Sequence, residues 1–306
     1  MQSQGQVVKS TGSWYWVRTE AGTMIKARLR GKFKLEGKKI TNPIAVGDRV
    51  NLEVLDDNDT VISQILPRKN YVIRASPRKR GHHHLLATNI DQAVLITSLY
   101  QPRTSLGFID RFLVTLETFR IPGIVVINKA DLYDDDDTEL AQAILSIYEE
   151  IGYQGVLTSF ANEDPAQLPE LLAGKTSLLA GHSGTGKSSL VNLLIPDAKQ
   201  KILEVSNFAD KGVHSTTFAE MFPFGKDAYI IDTPGIKELG LAEIEEGELS
   251  HYFPEMRDLL GQCRFHNCQH ISEPGCAIQA AVEAGRIVPS RYESYLSMMA
   301  GEDNRR

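Results

Sequence analysis

The stretch 181-GHSGTGKSS-189 decides the fold. It satisfies G-x-x-x-x-G-K-[ST] in full, and it stands directly after the apolar run TSLLA and directly before the apolar run LVNLLI, the strand–loop–helix context that gives this pattern its meaning. Gly181 and Gly186 free the backbone to turn, so that the successive N–H groups of His182, Ser183, Gly184 and Thr185 can face phosphate oxygens. The following helix, opening on Lys187, Ser188 and Ser189, aims its positive end at the same place. Lys187 is expected to reach the β- and γ-phosphates and the Ser188 hydroxyl to bind Mg²⁺.

Working outward, the sequence both before and after this loop supplies the rest of a nucleotide site. Upstream, the strand IVVIN ends in 128-NKAD-131. The Asp131 carboxylate can accept two hydrogen bonds from guanine N1 and N2, Asn128 supports the loop and the base edge, and the Lys129 stem, beside Ala130, packs on the ring; adenine offers no such donor pair. One strand later, Ser159 and Phe160 in LTSF are placed for the Phe160 N–H to donate to guanine O6. Downstream, 212-GVHSTT-217 carries Thr216 and Thr217, either of which can be the switch threonine that binds Mg²⁺. The strand YIID then runs into 232-DTPG-235, with Asp232 toward Mg²⁺ and the Gly235 N–H toward the γ-phosphate. The order is therefore base, base, phosphate, switch I, switch II. In an open parallel sheet only the spatial arrangement at the strand ends matters to the nucleotide, so this order reads as a circular permutation that runs switch II straight into the C-terminal region.

Those last residues hold 263-CRFHNCQHISEPGC-276, which contains all three cysteines of the chain. Cys263, Cys268, Cys276 and His270 make a Cys₃His set suited to one structural, tetrahedral Zn²⁺, with His266 as the competing imidazole. The acidic run 134-DDDD-137 opens a helical pattern and reads as helix-start charge rather than a metal site.

Residues 6–74 are patterned differently. VVKSTGSWYWVRT, TMIKARLRG, GDRVNLEVL and TVISQILP alternate or enrich in β-branched and aromatic residues between turn signals, as in a small barrel of about five strands with the OB-fold leading and an SH3-like barrel as the competitor. Residues 1–80 contain 16 Lys and Arg against 7 Asp and Glu, a net of +9, whereas the remaining 17 against 32 carry −15. A basic front end on an acidic body points to a polyanionic partner, nucleic acid before lipid. The expected organisation is an OB-fold RNA-binding domain over 1–74, a basic linker over 75–88, a permuted α/β P-loop GTPase domain over 89–237 and a mainly helical zinc-binding domain over 238–306. Every nucleotide-contacting candidate lies beyond residue 127, so the front end is expected to be separable from the nucleotide chemistry. No apolar run is long enough to span a bilayer and the N-terminus lacks a signal core, which gives the expectation of a cytoplasmic protein with no membrane partner.

Taken together, GDRV, NKAD, GHSGTGKSS, GVHSTT, DTPGI and CRFHNCQHISEPGC resemble the ribosome small subunit-dependent GTPase A family, the circularly permuted bacterial GTPases of small-subunit maturation. The resemblance covers nearly the whole chain. It implies an OB-fold, a permuted GTPase and a zinc domain in one monomer, binding GTP and GDP and acting on the 30S subunit and its 16S rRNA late in assembly, with hydrolysis stimulated by that particle. The chain departs from the family's commoner GKHTTT at GVHSTT, which lacks the lysine. Ile236 follows Gly235 where Ras-like enzymes carry a water-orienting Gln, so His214 is the candidate to reach the attacking water, with Lys187 stabilising the transferred phosphoryl. Two other readings are an RNA-binding switch in which hydrolysis only times release, and an ATP-dependent enzyme.

Overall fold

The computed structural model describes residues 2–30, 42–55, 59–75, 83–195, 219–232, 244 and 247–302. His214, Thr216, Thr217, Gly235 and Ile236 lie outside the described residues. The chain forms two compact units, Met1–Val94 with Gln167–Gly181 and Gly186–Leu239, and Leu95–Ala166 with His182–Thr185 and Gly240–Arg306.

The first unit begins with the barrel. Its strands are β1 (Gln2–Ser10), β2 (Tyr15–Thr19), β3 (Met24–Leu29), β4 (Arg49–Val54) and β5 (Thr60–Ile65). They pair in the order β1-β2-β3-β5-β4, and β4 pairs back on β1 to close the barrel; β3 and β5 run parallel. Alternation in the sequence sends Val7, Tyr15, Val17, Ala27, Val50, Leu52 and Ile62 inward, which leaves the basic side chains outside. The motif GDRV is the barrel's fastening. Gly47 has φ +94°, and a Cβ there would fall 2.0 Å from the Thr88 carbonyl oxygen. Asp48 is fully buried, accepts from Ala45 N at 2.9 Å and pairs with Arg68 through bonds of 2.7 and 2.8 Å.

A hairpin follows, β6 (Tyr71–Ala75) and β7 (His83–Thr88), antiparallel. The second half of the stretch read as a linker is thus a paired strand. The rest of the first unit is the phosphate-side sheet, formed by β11 (Thr176–Ala180), β12 (Glu220–Phe224) and β13 (Ala228–Asp232), together with helix α3 (Leu168–Leu172) and helix α4 (Lys187–Leu194). β11 and β13 are parallel and β12 is antiparallel to β13. β12 also pairs with β1, so barrel and sheet are continuous.

The second unit contains the C-terminal part of β8 (Gln92–Thr97), β9 (Gly123–Ile127) and β10 (Gln154–Leu157), with helices α1 (Leu106–Thr118) and α2 (Asp135–Glu150). β9 and β10 are parallel, and β9 is buried at every position, as a strand covered on both faces requires. Asp134 caps α2 by accepting from Asp137 N at 2.9 Å, and Asp135, Asp136 and Asp137 fill its first turn, as the sequence reading holds. The C-terminal region is helical: α5 (Pro254–Arg257), α6 (Ala277–Glu283) and α7 (Pro289–Met299). Its core, built on Phe253, Met256, Ile278, Ala281, Ile287, Tyr295 and Met298, continues onto Val114 of α1. Beside it, Arg291 is buried between Asp110 (2.7 Å) and Glu255 (2.7 and 3.2 Å), with Tyr148 Oη donating to Asp110 at 2.9 Å. Burial alone would favour loss of the Arg291 proton, but the two carboxylates outweigh it and hold the guanidinium charged. No helix among the described residues is long and apolar enough to cross a membrane.

Candidate nucleotide site and metal centre

The base side is assembled where β9 ends. Asn128 is buried and uses both ends of its amide. Nδ2 donates to the Thr185 carbonyl of the phosphate loop at 2.8 Å, and Oδ1 accepts from Phe160 N at 3.0 Å. One side chain therefore ties the two base-reading segments to the phosphate loop. Ser159 Oγ donates to Asp131 Oδ1 at 2.6 Å, fixing one carboxylate oxygen, and Ala130 N donates to Thr158 O at 3.1 Å. The Phe160 N–H that the sequence assigns to guanine O6 donates to Asn128 Oδ1.

Lys129 takes the left-handed conformation, φ +74°, and its amine donates to the Gln101 carbonyl. Tyr133, which sequence reasoning passed over, closes this loop: its hydroxyl accepts from Leu99 N at 2.9 Å and donates to the Asn128 carbonyl at 2.7 Å. The only trace in the sequence is an aromatic two residues after NKAD. The His182 ring lies 4.1 Å from that of Phe108 on α1, a contact that leaves its backbone N–H as the group offered to phosphate.

On the phosphate side, Gly186 has φ +110° and forms the N-cap of α4, a conformation that favours glycine. Ser183, Gly184, Ser188 and Ser189 are exposed, and Lys187 Nζ rests on the Gly181 carbonyl at 2.8 Å. Asp232, at the end of β13, has its carboxyl raised above the usual range by burial, with the nearby Lys187 ammonium opposing the shift. Ser188 is exposed at the start of α4 and Asp232 closes β13; a hydroxyl and a carboxylate are the oxygen donors Mg²⁺ takes.

The metal centre comes together as the cysteine spacing predicts. The donor atoms of Cys263, Cys268, His270 and Cys276 all lie within 4.8 Å of one another. His270 Nδ1 is 3.5 Å from Cys263 Sγ and 3.4 Å from Cys276 Sγ, and those sulfurs are 4.0 Å apart. A tetrahedron with Zn–S near 2.3 Å and Zn–N near 2.0 Å has edges of roughly 3.5–3.8 Å, so the set fits zinc with no position left for water. Burial pushes the Cys268 thiol up to about 12, and the neighbouring Cys276 and Cys263 add to the rise. Burial also holds His270 below its usual range, hence as the neutral imidazole a metal requires. His266, the competing imidazole, is not in the cluster.

Supports around the centre were not legible in the sequence. Glu273 accepts from the N–H groups of Gln269, Ile271 and Ser272 at 2.7, 2.9 and 3.0 Å, which holds its carboxyl at about 2. From α7, Tyr292 Oη donates to the His270 carbonyl at 2.6 Å and Tyr295 Oη to that of Gln269 at 2.8 Å.

Known proteins share this combination. A family model described as RsgA GTPase matches residues 65–242, and one described as RsgA N-terminal domain matches residues 4–62. A protein of Cytophaga hutchinsonii named small ribosomal subunit biogenesis GTPase RsgA is 51% identical over 306 residues, covering 99% of this chain and 100% of that protein. A Bacteroides fragilis protein of the same name is 44% identical, with 98% and 97% covered. Among solved structures, YjeQ from Thermotoga maritima aligns with a TM-score of 0.80 at 36% identity, covering 100% of both chains. YloQ, described as a circularly permuted GTPase, aligns with a TM-score of 0.75 at 32% identity, covering 100% of this chain and 96% of that one.

Proposed function

The chain belongs to the RsgA GTPase family, and from that premise we propose that it hydrolyses GTP as a late maturation factor of the small ribosomal subunit, binding 16S rRNA and stimulated by the 30S particle. The relatives' names support the ribosomal assignment. The observation that carries the nucleotide assignment is the bond from Asn128 to Thr185, which sets a base-reading loop and a phosphate loop in fixed register. The working species in this reading is a cytoplasmic monomer.

In this mechanism Asp131 accepts from guanine N1 and N2 while Ser159 keeps its carboxylate oriented, and the Lys129 stem covers the ring. The amides of 182–186 receive the α- and β-phosphates. Lys187 leaves the Gly181 carbonyl for the β/γ-oxygens and stabilises the transferred phosphoryl. Ser188, Asp232 and one of Thr216 and Thr217 would hold Mg²⁺, which would neutralise phosphate charge. The Gly235 N–H meets the γ-phosphate. Ile236 can neither donate nor accept a hydrogen bond, so unassisted turnover is slow, on the order of 10⁻⁴ s⁻¹. His214 reaches the attacking water when the 30S particle is bound. The Cys₃His centre, filled by Zn²⁺, is structural.

The test is co-sedimentation with 30S particles over a salt series. Neutralising rRNA phosphates releases counterions, so binding should weaken steeply with salt. It should also be tighter with a non-hydrolysable GTP analogue than with GDP. Binding insensitive to both salt and nucleotide would remove the ribosomal reading.

A further inference from the structure

The barrel's first strand pairs with β12 of the phosphate-side sheet, and the contact falls at a chemically pointed place. β1 meets β12 antiparallel with Lys9 opposite Glu220, and Glu220 is in turn opposite Asp232 on β13. Residues directly opposite in antiparallel strands project from the same face, with Cβ atoms roughly 4.5–5.5 Å apart. Lys9, Glu220 and Asp232 are therefore a row across three strands: basic, acidic, acidic. Lys9 Nζ lies 2.9 Å from Glu220 Oε2, with the two side chains 36% and 25% exposed. Farther along the same junction Arg18 donates to Tyr229 Oη at 3.0 Å. A shift in the β1–β2 pairing between Val7 and Lys9, a bulge, sets the register in which Lys9 meets Glu220.

Two carboxylates facing each other on neighbouring strands repel. Here the second of them, Asp232, lies beside Lys187 at the seat of the triphosphate. An unpaired Glu220 would add one negative charge to that seat; a paired Glu220 adds none. We infer that Lys9 of the barrel is a positioning residue of the GTPase site, holding and neutralising Glu220 so that Asp232 and Lys187 alone set the charge that the γ-phosphate meets. The inference rests on the GTP reading above. It gives the barrel a part in nucleotide binding beyond anchoring on rRNA. One unit charge added near a phosphate, at the dielectric of a half-exposed site, changes an affinity on the order of two- to fivefold.

The experiment uses the full chain and four proteins: wild type, Lys9→Met, Glu220→Gln and the double variant. Each is titrated with a non-hydrolysable GTP analogue and with GDP, at low and at high salt. Lys9→Met should weaken the analogue about two- to fivefold at low salt, with a smaller loss at high salt. GDP, whose charge ends one phosphate earlier, should change less. Glu220→Gln alone leaves the Lys9 charge unpaired and should tighten the analogue by a similar factor, and adding it to Lys9→Met should restore wild-type analogue affinity. Lys9→Gln, which keeps most of the stem, serves if the methionine variant folds poorly. Unchanged analogue affinity in the Lys9 variants would overturn the inference. So would an equal loss for both nucleotides that Glu220→Gln fails to repair, since that is the signature of disturbed packing alone. Failure of the wild type to bind either guanine nucleotide would instead remove the GTP reading, and this inference with it.

Discussion

Replacing Asn128 by alanine isolates the coupling between the base and phosphate halves of the site. The side chain is 3% exposed and makes two bonds, Nδ2 to Thr185 O at 2.8 Å and Oδ1 from Phe160 N at 3.0 Å. Thr185 and Phe160 are themselves buried, so truncation leaves a carbonyl and an N–H without their partners. Each such group costs about 1–3 kcal/mol, or about 2–6 kcal/mol together. Part of that is recovered as the free chain relaxes, and nucleotide must then restore the register on binding. If about 2 kcal/mol appears in the binding equilibrium, affinity falls on the order of 30-fold. Because the lost contacts lie on the base side and at the loop's own carbonyl, GTP and GDP should weaken by the same factor. Fluorescence titration with labelled GTP and GDP, alongside a thermal melt to confirm folding, measures this. A folded Asn128→Ala protein with both affinities within twofold of wild type would refute the reasoning.

Other outcomes follow from the same geometry. Asp131→Asn places an amide donor against the guanine N1 and N2 donors, so GTP affinity should fall by about 3–6 kcal/mol for two charge-assisted bonds, while xanthosine triphosphate should gain; competition titration decides, and unchanged GTP affinity would discard the assignment. Arg291→Met strands Asp110 and Glu255 in the interior and should cost about 3–5 kcal/mol in denaturant unfolding. Replacing all three charged residues with apolar ones should recover much of that loss, and an unmoved midpoint for the single variant would show the network to be unimportant. Metal analysis should find one zinc per chain and less in Cys268→Ser; a zinc-free preparation with an ordered C-terminal region would contradict the Cys₃His centre.

The strand–loop–helix of the phosphate loop, the NKAD turn and the cysteine cluster were legible because their chemistry depends on residue type at fixed spacing. Gly186 must take positive φ, Asp131 must present a carboxylate, and four soft donors must converge. The closed barrel was legible from alternation of the kind seen in Tyr15–Thr19. What escaped were contacts between residues distant in sequence. Tyr133 looks like any loop aromatic until Leu99 N and the Asn128 carbonyl are seen to meet its hydroxyl. Glu273 lies within four residues of the amides it caps, but only the fold of that loop turns them inward. The pairing of β1 with β12 joins positions 9 and 220, and no local pattern in either strand encodes it. That pairing joins the barrel, basic and early in the chain, to the phosphate-side sheet. The stretch 83–88 was misjudged for a related reason: its leading histidines and basic approach resemble a linker, but LLAT is apolar enough to be buried once Tyr71–Ala75 pairs with it.

The most direct measurement is single-turnover hydrolysis of GTP and of ATP by the full chain, with and without 30S particles. The account predicts slow GTP hydrolysis by the chain alone, on the order of 10⁻⁴ s⁻¹, a large acceleration when 30S is added, and no comparable turnover of ATP in either condition. ATP cleaved as readily as GTP, or a GTP rate indifferent to the particle, would contradict it.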